Sequence, residues 1–158
     1  MSAAYSFLNA VLSFTDPNTP ILDLSAGNGI AKEGITVAFD EDKVSKVNGA
    51  DGDFMYSLHA ANGGMITVRV LKTSSLNGDL SRLYQNTTRS SAYTGQGVMT
   101  GGDPTRGDSF TAIGCQIQKM PDMVAAEEGG TNEWRFLVGR LAVKLGNGSP
   151  ALAINGNG

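Results

Sequence analysis

Strand-period alternation recurs along this sequence, whereas a helical stripe occurs once, so most of the chain has to fold as sheet. In "EGITVAFD", Ile35, Val37 and Phe39 alternate with Thr36, Ala38 and Asp40. In "MITVRVLK", Ile66, Val68 and Val70 alternate with Thr67, Arg69 and Leu71, and in "NEWRFLVGRLAVKL", Trp134, Phe136 and Val138 oppose Glu133, Arg135 and Leu137. Neighbouring strand side chains point to opposite faces, so each run predicts one core face and one wetter face. Ile35, Val37, Phe39, Ile66, Val68, Val70, Trp134 and Phe136 are the predicted core. "SFTAIGCQIQK" alternates Thr111, Ile113, Cys115 and Ile117 with Phe110, Ala112, Gly114, Gln116 and Gln118, a second face that is small or uncharged-polar and suits a wetted surface.

The helical stripe follows "KTSS": Leu76, Leu80, Leu83 and Tyr84 fall at i, i+4, i+7 and i+8, and have to pack on the sheet. Ser74 or Ser75 is placed to cap the first free N–H groups, and Asp79 stands where the helix dipole favours an acid. Gly78 costs on the order of 1 kcal/mol relative to Ala, so packing has to hold this helix.

Elsewhere, "YSFLNAVLSF" (5–14) predicts a strand with Leu8, Ala10, Leu12 and Phe14 on one face and Tyr5, Phe7 and Val11 making the other partly apolar, so it needs cover on both sides. "TDPNTP" breaks it, "ILDL" is a short second strand, and "SAGNG" a turn. Residues 40–64 form a long excursion, with "NG" and "DG" pairs suited to a hairpin. Residues 87–108 predict a turn-rich loop with little core, and residues 146–158 a loose Gly/Asn-rich tail. Glycine is about twice as frequent as usual, which fits a turn-rich, mainly β or α+β single domain over 1–158. A chain of this length can bury roughly 70% of its unfolded surface.

Several functions lack the residues they require. At net charge −3 the chain offers no broad basic face for tight nucleic-acid binding. One His, one Cys and no HExxH leave a zinc site without ligands. "GNGIAK" lacks the third glycine of a dinucleotide fingerprint and precedes a strand, and counting twelve positions from Asp51 reaches Asn62 where a calcium loop needs Glu. "RGD" (106–108) reads as a tight turn closed by the Arg106 and Asp108 charges. Neither a signal peptide nor a stretch of about 20 apolar residues is seen, so a soluble chain without membrane insertion is expected, and a lone Cys115 fits a reducing compartment. No cofactor is implied.

The order of these features, "EGITVAFDEDKVSKVNGADGDFMYSLHAANGGMITVRVLKTSSLNGDLSRLYQ", then "DPTRGDSFTAIGCQIQKMPD" and "GGTNEWRFLVGRL", resembles the tail tube proteins of contractile-tailed bacteriophages and the related tubes of R-type bacteriocins, over about residues 5–145. The resemblance implies a small β-barrel or sandwich with one flanking helix and long extended loops. It further implies hexameric rings whose inner strands join into one barrel, stacked as a tube inside a sheath, with baseplate and terminator proteins at its ends and tape-measure protein and DNA in its lumen without tight binding. Such a protein belongs to the virion tail and is assembled in the bacterial host cytoplasm. Asp40, Glu41, Asp42, Lys43, Lys46, Asp51, Asp53, His59, Gly63 and Gly64 in the long loop are then candidates for contacts between subunits and rings, and Gln116, Gln118, Thr67 and Arg69 for the lumen. Three points fit without the resemblance: a doubly apolar strand needs an external cover, long loops without chemistry need a partner, and an acidic chain suits a weakly acidic or neutral lumen that lets DNA slide without sticking. A tube of the type VI secretion kind and a small ligand-binding β-domain are the alternatives.

Overall fold

The computed structural model describes residues 6, 8, 10–25, 29–125 and 129–146. Eight strands form one curled sheet, and a separate two-stranded sheet stands beside it. β1 (Val11–Asp16) and β2 (Thr19–Asp23) form a hairpin, β3 is Ile30–Phe39, and β4 (Val44–Asn48) with β5 (Phe54–Leu58) make the separate pair. β6 (Gly64–Leu71) leads into α1 (Leu76–Thr88), followed by β7 (Gly97–Asp103), β8 (Asp108–Ile117), β9 (Thr131–Val138) and β10 (Arg140–Lys144). The large sheet runs β2-β1-β7-β8-β9-β6-β3, and β10 also pairs with β8.

The curl has a local cause in β8. Gly97 and Val98 of β7 face Cys115 and Ile113, which leaves Gly114 as an extra residue, and its φ of 73° is one that L side chains rarely adopt. Before this bulge Phe110 and Ala112 point into the core; after it Cys115 and Ile117 do. The uniform alternation expected for this segment is therefore broken in the middle: Ala112 is core, not wetted surface, and Ile113 is 51% exposed. The partner strand turns at the same place. Gly139 separates β9 from β10 and donates its N–H to the Ile113 carbonyl, so β9 pairs with the end of β8 and β10 with its beginning.

The bend folds the sheet over one core. Leu12 and Phe14 from β1, Met99 from β7 and Leu141 from β10 meet Ile66, Val68 and Val70 from β6 and Trp134, Phe136 and Val138 from β9. Phe14 and Phe136 lie with ring centroids 5.8 Å apart across it. Leu76, Leu80 and Leu83 join the cluster and Tyr84 packs against it, as the helical stripe predicts. Each fully buried apolar side chain of this size is worth about 1.5–3 kcal/mol, so the meeting of the two halves supplies much of the fold's stability.

Other expectations need correction. Phe39 is 50% exposed because it ends β3 opposite Gly64, where the ladder runs out past the core, while Ile35 and Val37 are half-buried against it. Leu8 is exposed and precedes β1. The 87–108 segment contains a complete strand, β7, whose glycines disguise it: a Cβ on Gly97 would stand 2.4 Å from the Phe14 ring, so close packing forbids the side chains that advertise a strand. Ser75 occupies the N-cap position without a side-chain cap bond, and the Ser74 hydroxyl accepts the Leu76 N–H instead. The β1–β2 and β7–β8 turns use one device: the Asp16 carboxylate accepts the Asn18 N–H, and that of Asp103 accepts the Thr105 N–H. In the "RGD" turn Arg106 lies 3.7 Å from Asp103, and Asp108 accepts the Gly146 N–H. Tyr5, Phe7, most of the "SAGNG" turn and residues 147–158 of the tail lie outside the described residues.

One polar residue ties helix to sheet. The Asn77 amide nitrogen donates to the carbonyls of Leu71, Lys72 and Ser74, and its oxygen accepts from Asn132 and from the buried Trp134 indole at 3.1 Å. Asn77→Ala should lower the unfolding free energy by about 2–3 kcal/mol, read from the urea midpoint, because it orphans a buried indole N–H as well as losing the loop closure. A change below about 0.5 kcal/mol would show that water replaces the amide.

Candidate functional site

Among the described residues no group of three or more His, Cys, Asp or Glu is arranged to hold a metal ion, and no helix is long and apolar enough to cross a membrane. Cys115 is buried, its Sγ lies 3.4 Å from the Ala112 carbonyl, and burial pushes its pKa up to about 11 against a smaller lowering effect of a hydrogen bond with the Met99 backbone. A thiol held protonated in this way is a poor nucleophile. The surfaces with unmet requirements are two faces of sheet.

The first is the β4–β5 hairpin. The "NGADGD" turn closes on itself, with Gly49 N–H donating to the Asp53 carbonyl and Gly52 N–H to that of Gly49. Pairing Val44 with Leu58, Lys46 with Tyr56 and Asn48 with Phe54 sets these six on one face; Ser45 with Ser57 and Val47 with Met55 make the other. Every residue of β4 is exposed, and Val44, Val47, Phe54, Met55, Tyr56 and Leu58 are each between 52 and 77% exposed. An isolated two-stranded hairpin is marginally stable in water, and one with apolar residues on both faces has its burial still to come.

The candidate contact residues of the long loop sort by position. Asp40, Glu41, Asp42, Lys43, Lys46, Asp51, Asp53 and His59 are all exposed. Lys43 bonds Asn62 at 2.9 Å and His59 bonds Ser45 at 3.1 Å, which fastens the hairpin's base. Gly63 is half-buried, while Gly64 is enclosed within the chain: a Cβ there would stand 2.5 Å from Leu141 and 2.6 Å from the Ala38 carbonyl. Its small size serves the subunit's own packing.

The second surface is the face of β3, β6 and β9 turned away from the core. Cross-strand register places Thr36, Thr67 and Arg135 in one row, Arg69 beside Glu133 in another, and Ala38, Met65 and Leu137 in a third. Arg135 bonds Glu133 Oε1 at 2.8 Å, Arg69 lies 3.6 Å from Glu133 Oε2, and Arg69 also bonds Thr36 at 3.2 Å. Thr67 is buried beneath these longer neighbours. Gln118 is exposed just past β8, but Gln116 is half-buried: its amide accepts the Gly95 N–H and donates to Thr87, fixing the end of α1 to β8. The role of Gln116 within the subunit was not legible in the alternation, and Glu133 and Arg135 were legible only as a polar strand face.

The model of the bacteriophage PhiTE tail tube protein family matches residues 1–146. The chain belongs to that family. The tube protein also shares its fold with solved chains of contractile injection systems. It is 16% identical, at a TM-score of 0.58, to a chain of the anti-feeding prophage baseplate, covering 92% of this chain and 98% of that one. It is 10% identical, at a TM-score of 0.52, to a chain of the PVC extracellular contractile injection system sheath–tube complex in its extended state, covering 90% and 92%. A chain of the PVC sheath/tube terminator aligns at a TM-score of 0.51 with 12% identity, covering 90% and 98%. No curated protein matches. This is a tail tube protein, and the two sheet faces described above are its candidate contact surfaces.

The burial of Cys115 has a direct check. Iodoacetamide should alkylate the folded protein at pH 8 at least ~100-fold more slowly than the protein in concentrated urea, followed by mass spectrometry. Comparable rates would show that β8 opens readily.

Proposed function

We propose that six copies of this tube protein close into a ring, that rings stack into the inner tube of a contractile tail, and that the tube conducts genome DNA into the host cell. The observation that carries this reading is the β4–β5 hairpin, a projection with apolar side chains on both faces that no other part of the chain covers among the described residues. A neighbouring copy supplies that cover. The hairpin strands are each five residues, about 17 Å of extended chain, enough to reach across a subunit boundary. The free edge of β3, the last strand of the curled sheet, is where a neighbour's strand continues the wall, and the outward face of β3, β6 and β9 lines the channel.

In this reading Asp40 to Asp53, His59 and Gly63 lie at contacts between subunits or rings, and Thr67, Arg69 and Gln118 face the lumen. The tube sits inside a sheath, with baseplate and terminator proteins at its two ends and a tape-measure protein in the channel before DNA enters it. Assembly takes place in the bacterial host cytoplasm. The sheath–tube and terminator complexes to which two of the similar chains belong support the first of these associations.

The double variant Phe54→Ser with Tyr56→Ser separates assembly from folding. Both side chains are exposed in the subunit, so its unfolding free energy should move by less than about 0.5 kcal/mol. Electron micrographs of the concentrated wild type should show hollow tubes, and the variant none. Tubes of normal length from the variant would overturn the hairpin's role, and a wild type that stays monomeric at every concentration would overturn the reading itself.

A further inference from the structure

We propose that Glu133 governs how strongly the channel wall holds nucleic acid, by occupying two arginines that would otherwise grip the phosphodiester backbone of double-stranded DNA. The inference rests on the lumen reading above. Its structural basis is one shared carboxylate: Glu133 Oε1 takes Arg135 at 2.8 Å through Nε and 2.7 Å through a terminal nitrogen, while Oε2 faces Arg69 Nε at 3.6 Å. Arg69 is held further by Thr36 on the next strand.

Guanidinium is the side chain best shaped to bind a phosphate through two parallel hydrogen bonds, and two of them on one open sheet face make a ready phosphate site. Here the donors nearest the strands already point at a carboxylate. A phosphate that approached would have to displace Glu133, or share the guanidiniums with it and meet its charge. The other residues in these rows, Thr36, Ala38, Met65, Thr67 and Leu137, are uncharged, and Asp40, next after Thr36 and Ala38 on the same face, adds a second negative charge at its edge. Lys119 and Asp122, which line a cleft of about 290 Å³ shared with Glu133 and Arg135, offset each other. The two arginines are thus balanced by two carboxylates, and the best phosphate donors among them are engaged. Replacing Glu133 by Gln keeps the size, removes the charge and raises the net charge of the face by one per chain. Counterion release makes such a change strongly salt-dependent.

The test compares tubes assembled from the wild type, Glu133→Gln, and the double variant Glu133→Gln with Arg135→Gln, whose face returns to the net charge of the wild type. Short double-stranded DNA is loaded into open-ended tubes, and the amount sedimenting with them is measured from 50 to 300 mM NaCl. Glu133→Gln tubes should retain roughly tenfold more DNA at 50 mM, with the excess lost at 300 mM. The double variant should behave as the wild type. Tubes of normal appearance with unchanged retention would overturn the proposal, as would equal retention by the single and double variants. Failure of both variants to assemble beside a wild type that does would make the network a structural brace and overturn it too. Absence of tubes from the wild type would count against the lumen reading instead, and micrographs register that separately from the DNA measurement.

Discussion

The corner where β8 meets β9 and β10 sets everything else in this subunit. An antiparallel strand that kept strict alternation from Asp108 to Ile117 would place Phe110 and Ala112 on the face opposite Cys115 and Ile117, and neither half of the sheet would own a complete core. The extra residue at Gly114 reverses the parity, and Gly139 lets the partner strand turn with it. A single sheet can then fold over itself and bring Phe14 against Phe136. Among the described residues the outward face of β3, β6 and β9 has no helix or strand laid over it, because α1 contributes its buried leucines to the same cluster that those strands already share.

That economy explains why the subunit is folded yet incomplete. The core side is well satisfied: the largest buried residues, Trp134, Phe14 and Phe136, sit within one cluster, and the indole N–H has its acceptor in Asn77. The hairpin has no such support. Its turn and ladder are complete in hydrogen bonds, but the cross-strand pairs Val44–Leu58 and Val47–Met55 leave their apolar surface in water. Hydrophobic burial deferred in the monomer is free energy available to association, which is how a tube protein can be stable alone and still favour the assembled state.

Legibility followed the same division. The β6 and β9 core, Ile66, Val68, Val70, Trp134 and Phe136, and the helix stripe Leu76, Leu80 and Leu83 could be read directly, because both are regular elements with one buried face. β7 was hidden because Gly97 is dictated by contact with the Phe14 ring, a neighbour far away in sequence. The faces of β8 were misassigned for a different reason: a one-residue insertion inverts all later positions, and only the pairing with β7 reveals it. Phe39 failed because alternation marks a face without marking where cover stops. The candidate contact residues were found as a long charged loop, but what distinguishes that loop, apolar side chains on both faces of a free hairpin, depends on the register that brings Val47 opposite Met55.

A channel wall has two requirements that conflict. It has to be stiff, which favours strong contacts between side chains on the lining strands, and it has to release its cargo, which disfavours strong contacts to anything passing. Nonpolar lining would satisfy the second at the cost of a large exposed apolar face on the free subunit. Unpaired arginines would keep the subunit hydrated but hold phosphate. In the proposed tube the Arg69–Glu133–Arg135 network serves both demands: the Arg69–Glu133 ion pair links β6 to β9, and the Arg135–Glu133 bonds within β9 engage further donors that a phosphate would need. Thr36 extends the brace to β3 through a neutral hydroxyl, which adds stiffness without adding charge. In the proposed tube, low affinity for the cargo is thus a consequence of how the wall is held together.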